Sequence, residues 1–165
     1  MAQSSKSGAP GPQAPNVERF RQEVLEAHNK MRVLHQAPPV KLSPELNKMA
    51  QEWAEYLAKQ NKFEHSPADR RKGIGENLAA HTSVISGDEV VQMWYSEIQN
   101  YDFSKPGFAM NTSHFTQVVW KDCQLIGAGM SLQKAGNGMY MYVANYQPAG
   151  NVLNYFDKMV LRKAG

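Results

Sequence analysis

Residues 114–152 read HFTQVVWKDCQLIGAGMSLQKAGNGMYMYVANYQPAGNV. Within them, LIGAGMSL (125–132) and MYMYVANY (139–146) have the alternating, β-branched and aromatic make-up of strands. KAGNG (134–138) joins them with Gly and Asn, residues that tolerate positive φ, so the pair predicts a hairpin. FTQVVW (115–120) is ambiguous: its alternation suits a strand, while Phe115, Val118 and Val119 suit one helical turn. Beyond the hairpin, YQPAGNVLNYF (146–156) reads as a Pro/Gly coil tracking over the surface. Upstream, the period lengthens. Asn16 caps a helix of about 17–34 whose stripe is Phe20, Val24, Ala27 and Met31. Pro38 and Pro39 end it. Ser43-Pro44 starts a second helix with Leu46, Met49, Ala50, Trp53 and Leu57 on its buried face. Residues 61–79, NKFEHSPADRRKGIGENLA, are polar, Gly/Pro-punctuated and read as mostly loop. A third helix is expected over 87–99, with Val90, Val91, Trp94, Tyr95 and Ile98 inward, then a long loop over 100–113. Helices first and strands afterwards predict an α+β fold, or a helix–sheet–helix sandwich.

The chain has 165 residues, 42% hydrophobic and 20% charged, which suits one ordinary soluble domain. Residues 1–16 are Ser, Gly, Pro, Gln and Ala with one charge and are expected to be a disordered tail before a single domain over 17–165. No apolar run approaches the ~20 residues of a membrane span, and the N-terminus lacks the apolar stretch of a secretory signal. Cys123 is the only cysteine. That excludes a disulfide framework within the chain and a four-cysteine zinc site, and makes a reducing compartment the default. The net charge of +3 is uneven: residues 17–72 and 121–165 each carry +3, residues 73–120 carry −4. There is no dense Lys/Arg run of the kind that binds nucleic acid. Basic flanks around an acidic centre suit an anionic membrane surface, or solubility alone.

Of five histidines, two have telling contexts. His65 precedes a Ser-Pro loop, and His114 opens an apolar element. Of the acids, Glu97 falls between Val90 and Met93 on the helical wheel, at the core-facing edge, where a carboxylate needs a partner. Glu76 lies in GENLA with no basic residue near it after Lys72. His65, Glu76, Glu97 and His114 are therefore the candidate site. Neutral imidazoles suit zinc, with carboxylates as ligands, as orienters of the rings or as base on a bound water. The bland alternative is a hydrogen-bonded His/Glu cluster in a cleft. Cys123, near Lys121, reads as a free structural thiol. Asn77, Gln117 and Asn145 read as satisfying buried backbone groups, and Thr82, Ser83 and Ser113 are the nearest hydroxyls for a serine-hydrolase variant.

The blocks AHNKMR (27–32), EHS (64–66), GENLA (75–79), WYSEIQNYDF (94–103), HFTQVVW (114–120) and YVANYQPAGNV (142–152) are recognisable together. In this order they resemble the CAP superfamily, the cysteine-rich secretory, antigen 5 and pathogenesis-related 1 proteins. The likeness spans about 17–157 and is greatest to an intracellular, Golgi-associated, disulfide-poor branch. Secreted members usually carry cysteine before the Asn-Tyr of the last block, where this chain has Ala144. The resemblance implies an α-β-α sandwich with a mainly antiparallel sheet and a large cleft that gathers the four His/Glu residues. It implies a divalent metal, often zinc, on His65 and His114, not required for folding. It implies peripheral binding to anionic phospholipid membranes, homodimers and protein partners, among them an autophagy regulator, at a cytoplasmic, Golgi-facing location without classical secretion. The N-terminal Met-Ala-Gln lacks the Met-Gly signal for myristoylation found in that branch. The expected function is thus a non-enzymatic membrane- and partner-binding module. The competing one is a metal-assisted hydrolase with Glu76 or Glu97 as base.

Overall fold

A computed structural model describes residues 14–164; the tail expected over 1–16 falls mostly outside them. The first helix, α1, spans Val17–Leu34, with Asn16 accepting from the Arg19 amide as expected. Its buried face is broader than the apolar stripe: His28 and Arg32 join Phe20, Val24, Ala27 and Met31 in the core. A two-residue strand, β1 (Lys41–Leu42), precedes α2 (Pro44–Gln60), which Ser43 caps. On α2, Leu46, Ala50, Trp53 and Leu57 are buried as read, with Ala54 and Ala58, while Met49 is half-buried.

GENLAAH is a strand, β2 (Gly75–His81), rather than the end of a loop. The expected helix over 87–99 divides. α3 (Gly87–Tyr95) carries a full capping box at Ser86 and Glu89, then tightens into a 3₁₀ turn over Ser96–Asn100. The ambiguous FTQVVW segment belongs to a helix, α4 (Ser113–Val118). The hairpin forms as read, with β3 (Leu125–Met130) antiparallel to β4 (Tyr140–Gln147). A short α5 (Phe156–Met159) begins at the last residue of the segment read as coil.

The sheet order is β1-β3-β4-β2. β1 runs parallel to β3 and the other pairs are antiparallel. This is an α+β sandwich. α2 packs on one face, against β3 and β4, and α1, α3 and α4 gather on the other. The two faces hold separate apolar clusters, one around Trp94, Phe115, Tyr142 and Tyr146, the other around Trp53, Leu57, Met141 and Val143. α2 sits directly on backbone: a Cβ at Gly129 would come 2.5 Å from the Gln51 backbone. β1 covers only the start of β3. Asn47 and Gln51 of α2 accept from the Ala128 and Met130 amides, and Arg21 of α1 donates to the Ala128 carbonyl at 2.8 Å. A sheet edge that would stand open is thereby closed by side chains.

Arg32 is 1% exposed and faces no carboxylate. Its guanidinium donates instead to the carbonyls of Pro38, Val118, Trp120, Lys121 and Cys123, at 2.8–3.4 Å. That fan ties α1 to the link between α4 and β3.

Candidate functional site

His65 is delivered by the end of α2. Asn61 takes the left-handed conformation (φ 53°) that stops the helix, and the Trp53 indole donates to the Glu64 carbonyl at 3.0 Å, pinning the exit loop. Glu76 comes from β2. Its Oε1 accepts from His65 Nδ1 at 2.8 Å and from the Ser66 amide at 2.9 Å. Its Oε2 accepts from Ser66 Oγ at 2.7 Å and from Asn145 Nδ2 at 3.4 Å. Arg71 Nε lies 3.7 Å away. The Glu76 side chain is 1% exposed and the His65 side chain 56%. Burial by itself raises the Glu76 pKa, but the bonds from His65 and Ser66 and the Arg71 charge outweigh it and hold the carboxyl below its ordinary range.

The second pair joins the 3₁₀ turn after α3 to α4. Thr112 makes no side-chain cap for α4. Glu97 does the capping from another element, its Oε1 accepting from the amides of His114 (2.9 Å) and Phe115 (3.1 Å). Its Oε2 accepts from His114 Nδ1 at 2.7 Å. The His114 ring stacks nearly parallel on Trp94, whose indole N–H is fixed to the Leu78 carbonyl. Glu97 thus has the partners its place at the core edge demanded.

β2 relates the two pairs. It is an edge strand, bonded only to β4. Glu76 points to the α2 side, and Asn77, next in sequence, reaches the α4 side, where its amide donates to the His114 carbonyl (3.2 Å) and to the Tyr146 hydroxyl (3.1 Å). The pairs therefore flank one strand. Among the described residues no three His, Cys, Asp or Glu side chains are grouped to hold a metal ion; the four candidates come together two by two. In each pair the carboxylate accepts a hydrogen bond from Nδ1, so Nε2 is the ring nitrogen left without that bond. Neither Nε2 has a protein partner among the described residues. A cavity of about 760 Å³ lies at the far end of β2, between α1, the Thr82–Ser86 loop and Tyr140, and none of the four residues lines it.

The other candidates fall as follows. Asn77 bonds the His114 carbonyl, Gln117 accepts from the Gly150 amide (3.2 Å), and Asn145 donates to the Gly75 carbonyl (3.1 Å), so all three serve backbone groups. Cys123 is buried and its thiol is pushed up to about 11 by that burial, as befits an inert structural residue. Ser113 Oγ donates to the Met110 carbonyl, and the Ser83 amide donates to His81; neither hydroxyl is bonded to His65 or His114. Ser66, Arg71 and Trp94 were not assigned to the site from sequence, though they shape it. Ser66 had a signal in standing next to His65, while Arg71 and Trp94 are brought in by folding alone.

The model of the cysteine-rich secretory protein family, CAP, matches residues 25–146. The human Golgi-associated plant pathogenesis-related protein 1 is 46% identical over 145 residues, 87% of this chain and 93% of that protein. Protein PRY2 of Saccharomyces cerevisiae is 34% identical over 86% of this chain, which spans 41% of the yeast protein. Among solved structures, BmVAL-1 superposes with a TM-score of 0.71 at 26% identity, covering 96% of this chain and 88% of that one. NaASP2, solved with Zn2+, gives 0.69 at 24% identity, covering 95% and 91%, a likeness of fold.

Proposed function

Since the chain belongs to the cysteine-rich secretory protein family, we propose that it is a binding module of the Golgi-associated branch. On this reading it works peripherally at anionic membranes and with protein partners, and takes a divalent metal on its His/Glu edge. One observation carries the choice against a hydrolase: both carboxylates are engaged in orientation, Glu76 with its full acceptor capacity and Glu97 with most of it. Glu76 accepts four hydrogen bonds and Glu97 three, two of them helix amides. A general base needs a free lone pair within reach of a water. The same bonds occupy Nδ1 and leave Nε2 without a protein partner among the described residues, the nitrogen through which each histidine would ligate a metal with a carboxylate behind the ring. His65 and His114 would hold the ion, zinc by the softness of nitrogen ligands, and Glu76 and Glu97 would fix the rings without ligating.

The Golgi-facing location is supported by the 46% identical relative. No helix among the described residues is long and apolar enough to cross a membrane, which fits peripheral attachment. Self-association and partners such as an autophagy regulator belong to the same reading and rest on the family alone. Calorimetric zinc titration tests the metal site. Wild type is expected to bind and the His65→Ala/His114→Ala variant to lose at least tenfold in affinity. Undiminished binding by that variant overturns the assignment.

A further inference from the structure

Two loops between α3 and α5 carry the densest set of exposed large apolar side chains among the described residues. Met110 is 81% exposed, Leu153 67%, and Phe108, Tyr155 and Val152 are each close to half exposed. The loops are one structure. Phe108 and Leu153, with Pro106 and Phe156, line a shared dent of about 480 Å³. Asn151 Nδ2 donates to the Ser113 carbonyl at 3.0 Å, and Thr116 donates to Asn151 Oδ1 at 2.5 Å. Asn151 and Asn154 both take positive φ, 57° and 74°. They turn the backbone sharply on either side of Val152 and Leu153 and leave that pair at the tip. Phe156 anchors the base edge-on against Trp120, 5.0 Å between centroids.

We propose that this two-loop face, residues 104–112 and 148–158, enters an anionic lipid surface to a shallow depth; the proposal rests on the membrane reading above and names its contact face. Charge picks out this occupant. Lys105 and Lys158 are exposed within the same loops, and Arg162 covers the Phe103 ring at 5.4 Å. Asp102 beside them stays ionised, its carboxylate bonded by the Ser104 amide and hydroxyl with the Arg162 charge nearby, so three cations stand against Asp102 and Asp157. Asp157 is the remaining exposed carboxylate on the loops. Apolar tips among lysines, with a tyrosine whose ring is apolar and whose hydroxyl is wet, are the composition of an interfacial anchor. A second protein copy fits less well, because a stable interface engages about 20–30 residues a side and this face offers five prongs around a dent.

The test uses the full chain. Cys123 is buried with a raised thiol pKa, so a polarity-sensitive fluorophore can be placed selectively at Leu153→Cys, or at Lys48→Cys on α2 as a control. With phosphatidylcholine vesicles containing 30% phosphatidylserine, the label at 153 is expected to brighten and shift blue, and the label at 48 to stay as in water. Phe108→Ser/Leu153→Ser is expected to lower vesicle partitioning at least tenfold while its melting temperature stays near wild type. A wild-type protein that floats with its 153 label still in water overturns the assigned face and leaves membrane binding standing. So does a double variant that floats normally but no longer self-associates in sedimentation, which gives the face to a second copy. Wild type that floats on no vesicle removes the membrane reading, and this proposal with it.

Discussion

His28 is fully buried, and its ring is satisfied only when neutral: Nδ1 donates to the Val24 carbonyl at 2.8 Å and Nε2 accepts from the Tyr146 hydroxyl at 2.7 Å. Burial lowers its pKa from 6.5 to about 4. The unfolded chain therefore binds a proton that the folded one refuses between those values. Stability is whole above pH 6.5 and falls as the pH drops toward 4, by about 3 kcal/mol for this residue. His35, lowered by burial as well, has the same sign. Urea midpoints measured from pH 7.5 to 4.5 are expected to slide downward below pH 6.5, and a flat profile would count against the buried neutral ring. His28 and Arg32 also mark what sequence left out at this scale. Both continue the row Phe20, Val24 at steps of four, which a reading restricted to apolar residues passes over. That Glu97 and His114 would need partners was legible, because a glutamate on an apolar helix face and a histidine heading an apolar element each demand one; His65 and Glu76 carried only their loop contexts. Which histidine meets which glutamate is set by folding.

Elements defined by their own caps were legible; those defined by their neighbours were not. α1 and α2 begin at Asn16 and Ser43, and the alternation of β3 and β4 is local. α4 has no cap of its own and is begun by Glu97, so nothing in HFTQVVW decides between strand and helix. β2 carries Glu76 and Asn77 because, on an edge, its side chains bond across to loops and α4, and polarity made it resemble a loop. α3 ends early, where Ser96 Oγ turns back on the Met93 carbonyl. The contact of α2 with β3 yields a prediction of its own. Gly129→Ala drives a methyl into helix backbone at 2.5 Å and is expected to cost about 1–3 kcal/mol, or roughly 2–12 °C in melting temperature. Gly107, with no atom within 4 Å of an added Cβ, is the control, and Gly107→Ala should melt with wild type. Equal melting of both variants would mean that α2 is not seated as closely as described.

Across the molecule, the order of helices and strands along the chain was enough for an α+β sandwich. The sheet order was not legible, since β1 is two residues long and its parallel pairing with β3 spans more than 80 residues. Charge also acts at this scale. With net charge +3 and the membrane reading proposed above, attachment to vesicles is expected to rise with phosphatidylserine content. It is expected to weaken several-fold between 50 and 300 mM salt, as the screening length shortens. Flotation that ignores both variables would refute an electrostatic contribution. The fan of carbonyls around Arg32 bears on the whole chain too. In a family named for its cysteines, this chain clasps its first helix to the α4–β3 link with a cation that donates to five backbone oxygens. Closing that clasp calls for neither oxidant nor isomerase, and no reductant opens it. The fold's central seam is thus indifferent to the redox state around it, and its integrity hangs on one arginine codon rather than on a matched pair of thiols.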